Sequence, residues 1–357
     1  MTGAHSVAVG GAEPAVPAPA VSVILSTHNR AAYLPDVLQS LAAQACRVPI
    51  EVILIDNAST DRTREILTEW CGRHAGWRVA HEARLGLSCG KNAGVGLARA
   101  PLLLFADDDM LLSPGWIQSY LDLFGRRDEG RMLAGGPYVP IPHDLGGWPD
   151  WFEEGAMADL ALLQYDRERV LEPSEYVWGG NMAIPRRFFD ELGPWDESVG
   201  RRGEERGTFE DTEFQDRLRR AGGHVWYCPA AVVRHRMPRD VITPREIASS
   251  AFTRGRNDFW KETIPVWHEQ ARVPRRNPVA VLVRLALSLL AWAVWLLAFR
   301  VTGGRRAFER VRDAAFRSGR HLDSLRAGRG PTPLTRLVNR AAFKARGLLL
   351  RLSPDTA

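Results

Sequence analysis

Three consecutive carboxylates, Asp107, Asp108 and Asp109, follow the apolar run Leu102, Leu103, Leu104 and Phe105 in the stretch PLLLFADDDM, residues 101–110. Adjacent like charges repel one another and cost stability unless a cation or hydrogen-bond donors neutralise them. Side chains alternate along an extended chain, so Asp107 and Asp109 fall on one side and can offer oxygen ligands to a hard divalent ion, Mn2+ or Mg2+. Such an ion keeps positions open for water and phosphate oxygens. The plainer reading is an acidic turn that closes a strand or caps a helix starting near Pro114. These residues alone leave both readings open.

Other residues downstream and upstream have types suited to the same chemistry. Asp56 follows the apolar residues Val52 to Ile55 in EVILIDNASTDRT. Glu210 and Asp211 begin a helical stretch in TFEDTEFQDRLRRAG; a helix dipole favours acids there and also keeps a carboxylate ionised, as a general base must be. His235 ends the strand-like VWYCPAAVVRHRM, where it can reach a metal or a diphosphate or serve as a structural histidine. The stretch RLGLSCGKNAGVGLARA holds Gly86, Gly90, Gly94 and Gly96 around Lys91 and Asn92, which suits a backbone that approaches a diphosphate or a plain turn into a helix. In WGGNMAIPRRFF, Gly179, Gly180 and Asn181 precede a short apolar strand, as either a ligand approach or a tight turn. Trp148, Trp151 and Phe152 in DLGGWPDWFEEGAM fit a sugar-facing or lipid-facing loop, or plain core packing.

The elements that must position these groups are legible from periodicity. VSVILSTHNR is a buried strand with a polar loop at its carboxyl end, and AAYLPDVLQSLAAQA follows with helical spacing in Leu34, Val37, Leu38 and Leu41. EVILIDNASTDRT and TREILTEWCGRH repeat the unit. Two strand–loop–helix units in succession predict an α/β fold with right-handed crossovers and a parallel sheet. Asp56 and Asp107 then lie on one carboxyl edge, where open α/β sheets bind ligands. A helix is expected over Pro114 to Phe124, and MLAGGPYVP supplies a further strand.

The chain has 357 residues, with 45% hydrophobic and 25% charged, values of an ordinary globular protein. Its length fits one large domain with appended elements, or two domains. Cys46, Cys71, Cys89 and Cys228 have no metal-ligand or redox spacing and read as reduced thiols. Residues 1–20 read as a flexible leader without the basic and apolar regions of a signal peptide. The net charge of +5 is split: residues 271–357 hold 18 Lys/Arg against 4 Asp/Glu, a net of +14, which leaves −9 for the rest.

Within that basic tail VAVLVRLALSLLAWAVWLLAF, residues 279–299, is apolar apart from Arg284. Its uncharged core is short for the ~30 Å hydrocarbon thickness. With Arg284 snorkelling and Val279 to Val283 included it can just span, but Arg272, Arg275 and Arg276 before it, and Arg300, Arg305 and Arg306 after it, favour both ends on the cytoplasmic side, and so a re-entrant or in-plane helix; the plainer reading is a buried soluble helix. Farther on, LTRLVNRAAFKARGLLLRL spaces Leu334, Leu337, Val338, Ala341, Ala345, Leu348 and Leu352 on one face, with most of its basic residues off it. A basic amphipathic helix beside a hydrophobic one points to a membrane surface. No aromatic–basic nucleic-acid platform is present, so a nucleic-acid partner is not expected. Because this tail follows the last motif, it is expected to set location and not chemistry.

VSVILSTHNR, VILIDNASTDRT, GLSCGKNAGV and FADDDM, in this order and spacing, resemble the family 2 glycosyltransferases, nucleotide-sugar-dependent enzymes of the GT-A fold. WGGNMAI, GPWDE and FEDTEFQDRLRRAG extend the resemblance over about residues 20–238. It implies that a nucleoside diphosphate sugar is held by Thr27, Asn29, Arg30, Asp56 at the nucleobase, Lys91, Asn92, Asp107 and Asp108. It further implies a metal on Asp107 and Asp109 with His235 in reach, an acceptor side at Trp178, Gly179, Gly180 and Asn181, and catalysis by Asp211 as base beside Glu210. Lys91 stands where Arg is frequent in relatives, and the Arg/Gly/Glu-rich stretch 200–207 is an unusual approach to the base motif. The expected organisation is a GT-A domain over 21–240, a helical linker over 241–278, a hydrophobic membrane-associated helix over 279–300 and a basic amphipathic tail over 301–357. The expected reaction is inverting transfer to an acceptor hydroxyl on a glycan or lipid-linked acceptor, at the cytoplasmic face of the cell membrane. The rivals are a nucleotidyltransferase, which would want a phosphate-cradling loop that STHNRAAYL lacks, and a degenerate nucleotide-sugar-binding scaffold.

Overall fold

The computed structural model describes residues 18–127, 130–143, 145–160, 162–198, 210–263, 278–327 and 344–352. The expected leader up to residue 17, the stretch 200–207, residues 264–277 with Arg272, Arg275 and Arg276, and residues 334–343 of the basic amphipathic segment lie outside these described residues.

β1 (Val21–Thr27), α1 (Leu34–Ala42), β2 (Ile50–Asn57), α2 (Thr63–Arg73), β3 (Trp77–Glu82), α3 (Leu87–Leu97) and β4 (Leu102–Ala106) alternate as strand and helix. β1, β2 and β4 are buried on both faces, which is why they read as largely apolar runs. β1 pairs in parallel with β2 and β4, and β2 with β3. Thr27 lies opposite Asp56 and Leu25 opposite Ala106, so the loop after β1, Asp56 and the acids after β4 emerge on one sheet edge. In α3, Gly90 and Gly94 face β1, where a Cβ would collide with Ser26 or Ile24. These two glycines let the helix approach the sheet.

The second half adds β5 (Met110–Leu112), α4 (Trp116–Arg126), β6 (Met132–Gly135), β7 (Tyr138–Pro142), a 3-10 turn (Glu154–Leu160), β8 (Arg169–Val170) and β9 (Asn181–Pro185). α5 (Arg187–Leu192), α6 (Glu210–Arg220), β10 (His224–Tyr227) and β11 (Val233–Met237) complete this part. The main sheet has the order β3-β2-β1-β4-β9-β6-β10-β8, with β9 antiparallel to β4 and β6. This mainly parallel sheet is the α/β architecture expected from the sequence. A second sheet, β5-β11-β7, stands beside the acids. It uses segments read differently in sequence: a strand at Met110–Leu112 precedes the helix expected from Pro114, which starts at Trp116 behind Gly115 at φ 78°. MLAGGPYVP supplies two strands in different sheets, because the chain turns at Gly136, whose missing Cβ leaves room for the Ala231 carbonyl.

α7 (Pro244–Thr263), α8 (Pro278–Thr302) and α9 (Arg305–Ala327) follow, with a last short helix over 344–352. Their buried faces form a second apolar cluster with Trp151, Phe152, Ala156 and Leu160. Trp151 meets Phe308 edge-on at 4.7 Å, Trp148 stacks on Phe152 at 4.1 Å, and Glu153 pairs with Arg312 at 2.5 Å. The aromatic loop therefore packs as core against the C-terminal helices, the plainer of its two sequence readings. The tail, expected to set location alone, shares a core with the loop that continues from β7.

Candidate active site

A cleft of about 390 Å³ opens at the carboxyl edge of the sheet, lined by Ser26 to Arg30, Asn57, Leu85, Leu87 and Asp107 to Asp109. Its floor is the loop after β1. Asn29 adopts φ 53°, and its Oδ1 accepts hydrogen bonds from the Thr60 and Asp61 amides at 2.7 and 3.3 Å, which ties this loop to the one after β2. Arg30 holds its Nε 3.5 Å from Asp108 Oδ1. Burial and the neighbouring Asp109 push the Asp108 carboxyl up to about 7, against the pull of Arg30 and Thr27. Burial likewise raises Asp107, although Lys91 opposes the shift.

α6 and the Gly179–Gly180 turn bring the second half of the site to these acids. The Gly179 amide donates to Asp211 Oδ2 at 3.0 Å, and the Thr212 amide donates to Oδ1 at 2.7 Å. A Cβ at Gly179 would lie 2.7 Å from Lys91 Nζ and 3.1 Å from Asp211 Cβ, and one at Gly180 would collide with Asp107 Oδ2. This turn therefore fits between the acids after β4 and the acids of α6 only because both residues lack side chains. Lys91 is buried here, with Nζ 3.3 Å from Glu210 Oε1 and 5.0 Å from the centre of the Trp195 ring. Burial works against its charge, but Glu210, Asp107 and Asp211 outweigh burial and hold the ammonium above its usual range. Burial first, then Glu210, raise the Asp211 carboxyl to about 6, with Lys91 and the two amides pulling the other way.

A divalent cation implied by the acidic run is tested by the donor set. Asp109 Oδ1 is buried and faces His235 Nε2 at 3.3 Å, so a hard oxygen and an imidazole nitrogen converge on one point. Tyr138 holds that imidazole from the side, ring centres 4.7 Å apart. Among the described residues no group of three or more His, Cys, Asp or Glu is assembled as a metal cage. The pair fits an ion that takes its remaining ligands from a diphosphate and water, as Mg2+ and Mn2+ sites commonly do.

The other residues singled out in sequence divide into two sets. Thr27, Asn29, Arg30, Asp107, Asp108 and Asp109 line the cleft. Lys91, Gly179, Gly180, Glu210 and Asp211 form the adjoining wall, and Trp178 stands half-buried beside Tyr138, ring centres 6.2 Å apart. Asp56 does not line the cleft. It is 1% exposed and accepts from the Ser59 amide while facing His81 Nδ1 at 3.0 Å. Asn92 braces the 195–197 segment through the Trp195 carbonyl, the Trp195 amide and Glu197. Asn181 is a buried knot: its Oδ1 accepts from Trp116 and Tyr120, and its amide donates to the carbonyls of Pro137 and Ala231. Tyr138 was missed in sequence. It opens the short, proline-containing strand β7, which has no periodic signal, yet burial and the acids at 109, 107, 211 and 108 raise its hydroxyl well above the ordinary range.

A cleft joined to a row of acids at the carboxyl edge of an α/β sheet stands where open α/β folds bind their ligands. Residues 22–193 match the model of Glycosyl transferase family 2, and this part of the chain is a domain of that family. Among curated relatives, validoxylamine A glucosyltransferase of Streptomyces hygroscopicus subsp. jinggangensis is 29% identical over 208 residues, covering 50% of this chain and 47% of its own. Hyaluronan synthase of Pasteurella multocida is 24% identical over 273 residues, covering 69% of this chain and 27% of its own. The chain thus spans about half the length, or less, of these relatives. A crystal structure of GalNAc-T7 with UDP, GalNAc and Mn2+ aligns at a TM-score of 0.48 and 20% identity, over 62% of this chain and 43% of that one.

Proposed function

We propose that this protein is a metal-dependent, inverting glycosyltransferase that moves a sugar from a nucleoside diphosphate sugar to an acceptor hydroxyl. The observation that carries the reading is the Gly179–Gly180 turn, wedged between Asp107 on the donor cleft and Asp211 on α6. One backbone turn thereby joins a nucleotide-sized cleft to a carboxylate suited to take a proton. In this reading the cleft holds the nucleotide, with Asn29 and Arg30 at its floor and Asp107 and Asp109 at the diphosphate. Asp109 and His235 would hold Mn2+ or Mg2+, which supplies charge neutralisation of the departing diphosphate. The acceptor hydroxyl attacks the anomeric carbon from the face opposite the diphosphate. As the new carbon–oxygen bond forms and the bond to the diphosphate breaks, Asp211 takes the hydroxyl proton. Two amide donors orient the Asp211 carboxylate, and Lys91 beside Glu210 balances its charge. No covalent nucleophile is required. Trp178 and the Gly179–Gly180 turn form the acceptor side.

The acceptor is a glycan or a lipid-linked sugar, and the location is the cytoplasmic face of a cell membrane, a setting for cell-surface polysaccharide or glycolipid assembly. The apolar α8 supports the membrane location. Thermal shift of the full chain against a panel of UDP-, GDP-, CMP- and dTDP-sugars, with and without Mn2+, tests the donor reading. One nucleotide class should raise the melting temperature only when metal is present. Equal melting with every donor and metal combination contradicts it.

A further inference from the structure

The outer face of α8 is apolar and uncovered. Val283, Leu287, Leu290, Val294, Leu297 and Val301 are 52–78% exposed, although all six are large hydrophobic residues. At roughly 100° per residue they lie within about 40° of a single line along the helix. The borders of this arc are polar: Arg284 and the half-exposed Trp295 lie on one side, and Arg300 on the other, each roughly 100–120° from the centre. Arg310 of α9 adds its guanidinium 6.0 Å from the Trp295 ring. Arginine and tryptophan at the rim of an apolar arc are the residues that sit at the headgroup level while their neighbours enter the acyl region.

The inner face of α8 decides how the helix can lie. Leu285, Trp292, Leu296 and Phe299 are buried. The Ser318 hydroxyl donates to Ser288 Oγ at 3.1 Å, and Phe299 meets Phe308 at 5.3 Å, so α8 and α9 run antiparallel with their inner faces closed together. α9 carries seven arginines. A spanning α8 would draw that helix across the hydrocarbon with it, at a prohibitive electrostatic cost.

We infer that α8 is an in-plane membrane anchor, which seats its exposed apolar arc in the acyl boundary of an anionic bilayer while its arginine rim meets lipid phosphates. The inference rests on the membrane location proposed above and adds its geometry. A second copy of the chain is a poorer occupant. The arc has the 4-3 spacing of a coiled-coil seam, but pairing two such arcs would bring like-charged rims together, each from a tail of net charge +14.

The test is flotation of the full chain with vesicles of phosphatidylcholine, alone and mixed with phosphatidylglycerol. Binding should require phosphatidylglycerol and weaken with salt. The double variant Leu290→Glu, Leu297→Glu should lose at least tenfold in vesicle affinity with an unchanged melting curve, since both residues are already in solvent. Cysteines introduced at exposed positions off the arc, Ala280→Cys and Thr302→Cys, should both react with an impermeant maleimide added outside preformed vesicles, above the background of the native thiols. Protection of one of them would mean a span, which overturns the in-plane anchor and leaves the membrane location standing. Failure of the parent chain to float with either vesicle overturns both. Dimerisation in solution that the double variant abolishes, without vesicle binding, would assign the arc to a second copy and overturn the inference.

Discussion

Asp211 carries the proton step in this account, and its environment sets the pH at which it can act. Burial and Glu210 raise its carboxyl to about 6, so the ionised base is lost as pH falls below that value. The rate under kcat/KM conditions should therefore fall about tenfold per pH unit on the acid side. A rate independent of pH between 5 and 7 would remove Asp211 from the role. The expectation that the helix dipole alone keeps this acid ionised was incomplete, because α6 buries its first turn against Lys91 and Gly179. The Asp109–His235 pair makes a separate prediction. Asp109→Ala should abolish the Mn2+ dependence of donor binding, seen by calorimetry as equal, weak affinity with and without metal. Tyr138 positions the His235 ring by a tilted ring-to-ring contact, so Tyr138→Phe should keep Mn2+ affinity within about threefold, whereas Tyr138→Leu should weaken it about tenfold. Equal losses in both variants would mean that the hydroxyl, not the ring, matters.

At the scale of elements the site depends on a turn with no room for side chains. Gly180→Ala should displace Asp107 and cost on the order of 10²-fold in turnover, since small displacements of reacting groups carry penalties of that size. Its melting temperature should fall far less than its activity; a variant with normal turnover would show that Asp107 can move freely. The legibility of such elements follows from their burial. β1, β2 and β4 are enclosed on both faces, so their sequences are largely apolar, with Asp56 near the end of β2 and Asp107 directly after β4. β5, β7 and β11 are short, β7 and β11 contain proline or polar positions, and their pairing joins residues 95 to 125 positions apart, which local periodicity cannot register. The same reason hid the role of Asn181. Its polar side chain looked like a ligand contact, while Trp116, Tyr120, Pro137 and Ala231 converge on it from elsewhere in the chain.

For the whole molecule, the joined core of α7, α8, α9 and the 145–160 loop changes what the tail means. A chain cut before α8 would expose Ile247, Ala248, Ala251, Phe252, Trp151 and Phe152, all at most 5% exposed in the intact protein. Such a truncation should aggregate or melt well below the full chain, contrary to the sequence expectation of a soluble, active core; a monodisperse truncation with the parent melting temperature would restore that expectation. The charge split, by contrast, was legible from composition alone, since a basic tail needs no contact to be counted. The central claim is that the acids after β4 and Asp211 form one glycosyl-transfer site. It is tested most directly by measuring nucleoside diphosphate release from the donor selected by thermal shift, in Mn2+, for the native chain and Asp211→Asn, with donor affinity measured in parallel. The native chain should turn over, the variant should lose at least about 10³-fold, and donor affinity should stay within about threefold of the parent. Turnover by Asp211→Asn within about tenfold of the native chain would contradict that claim.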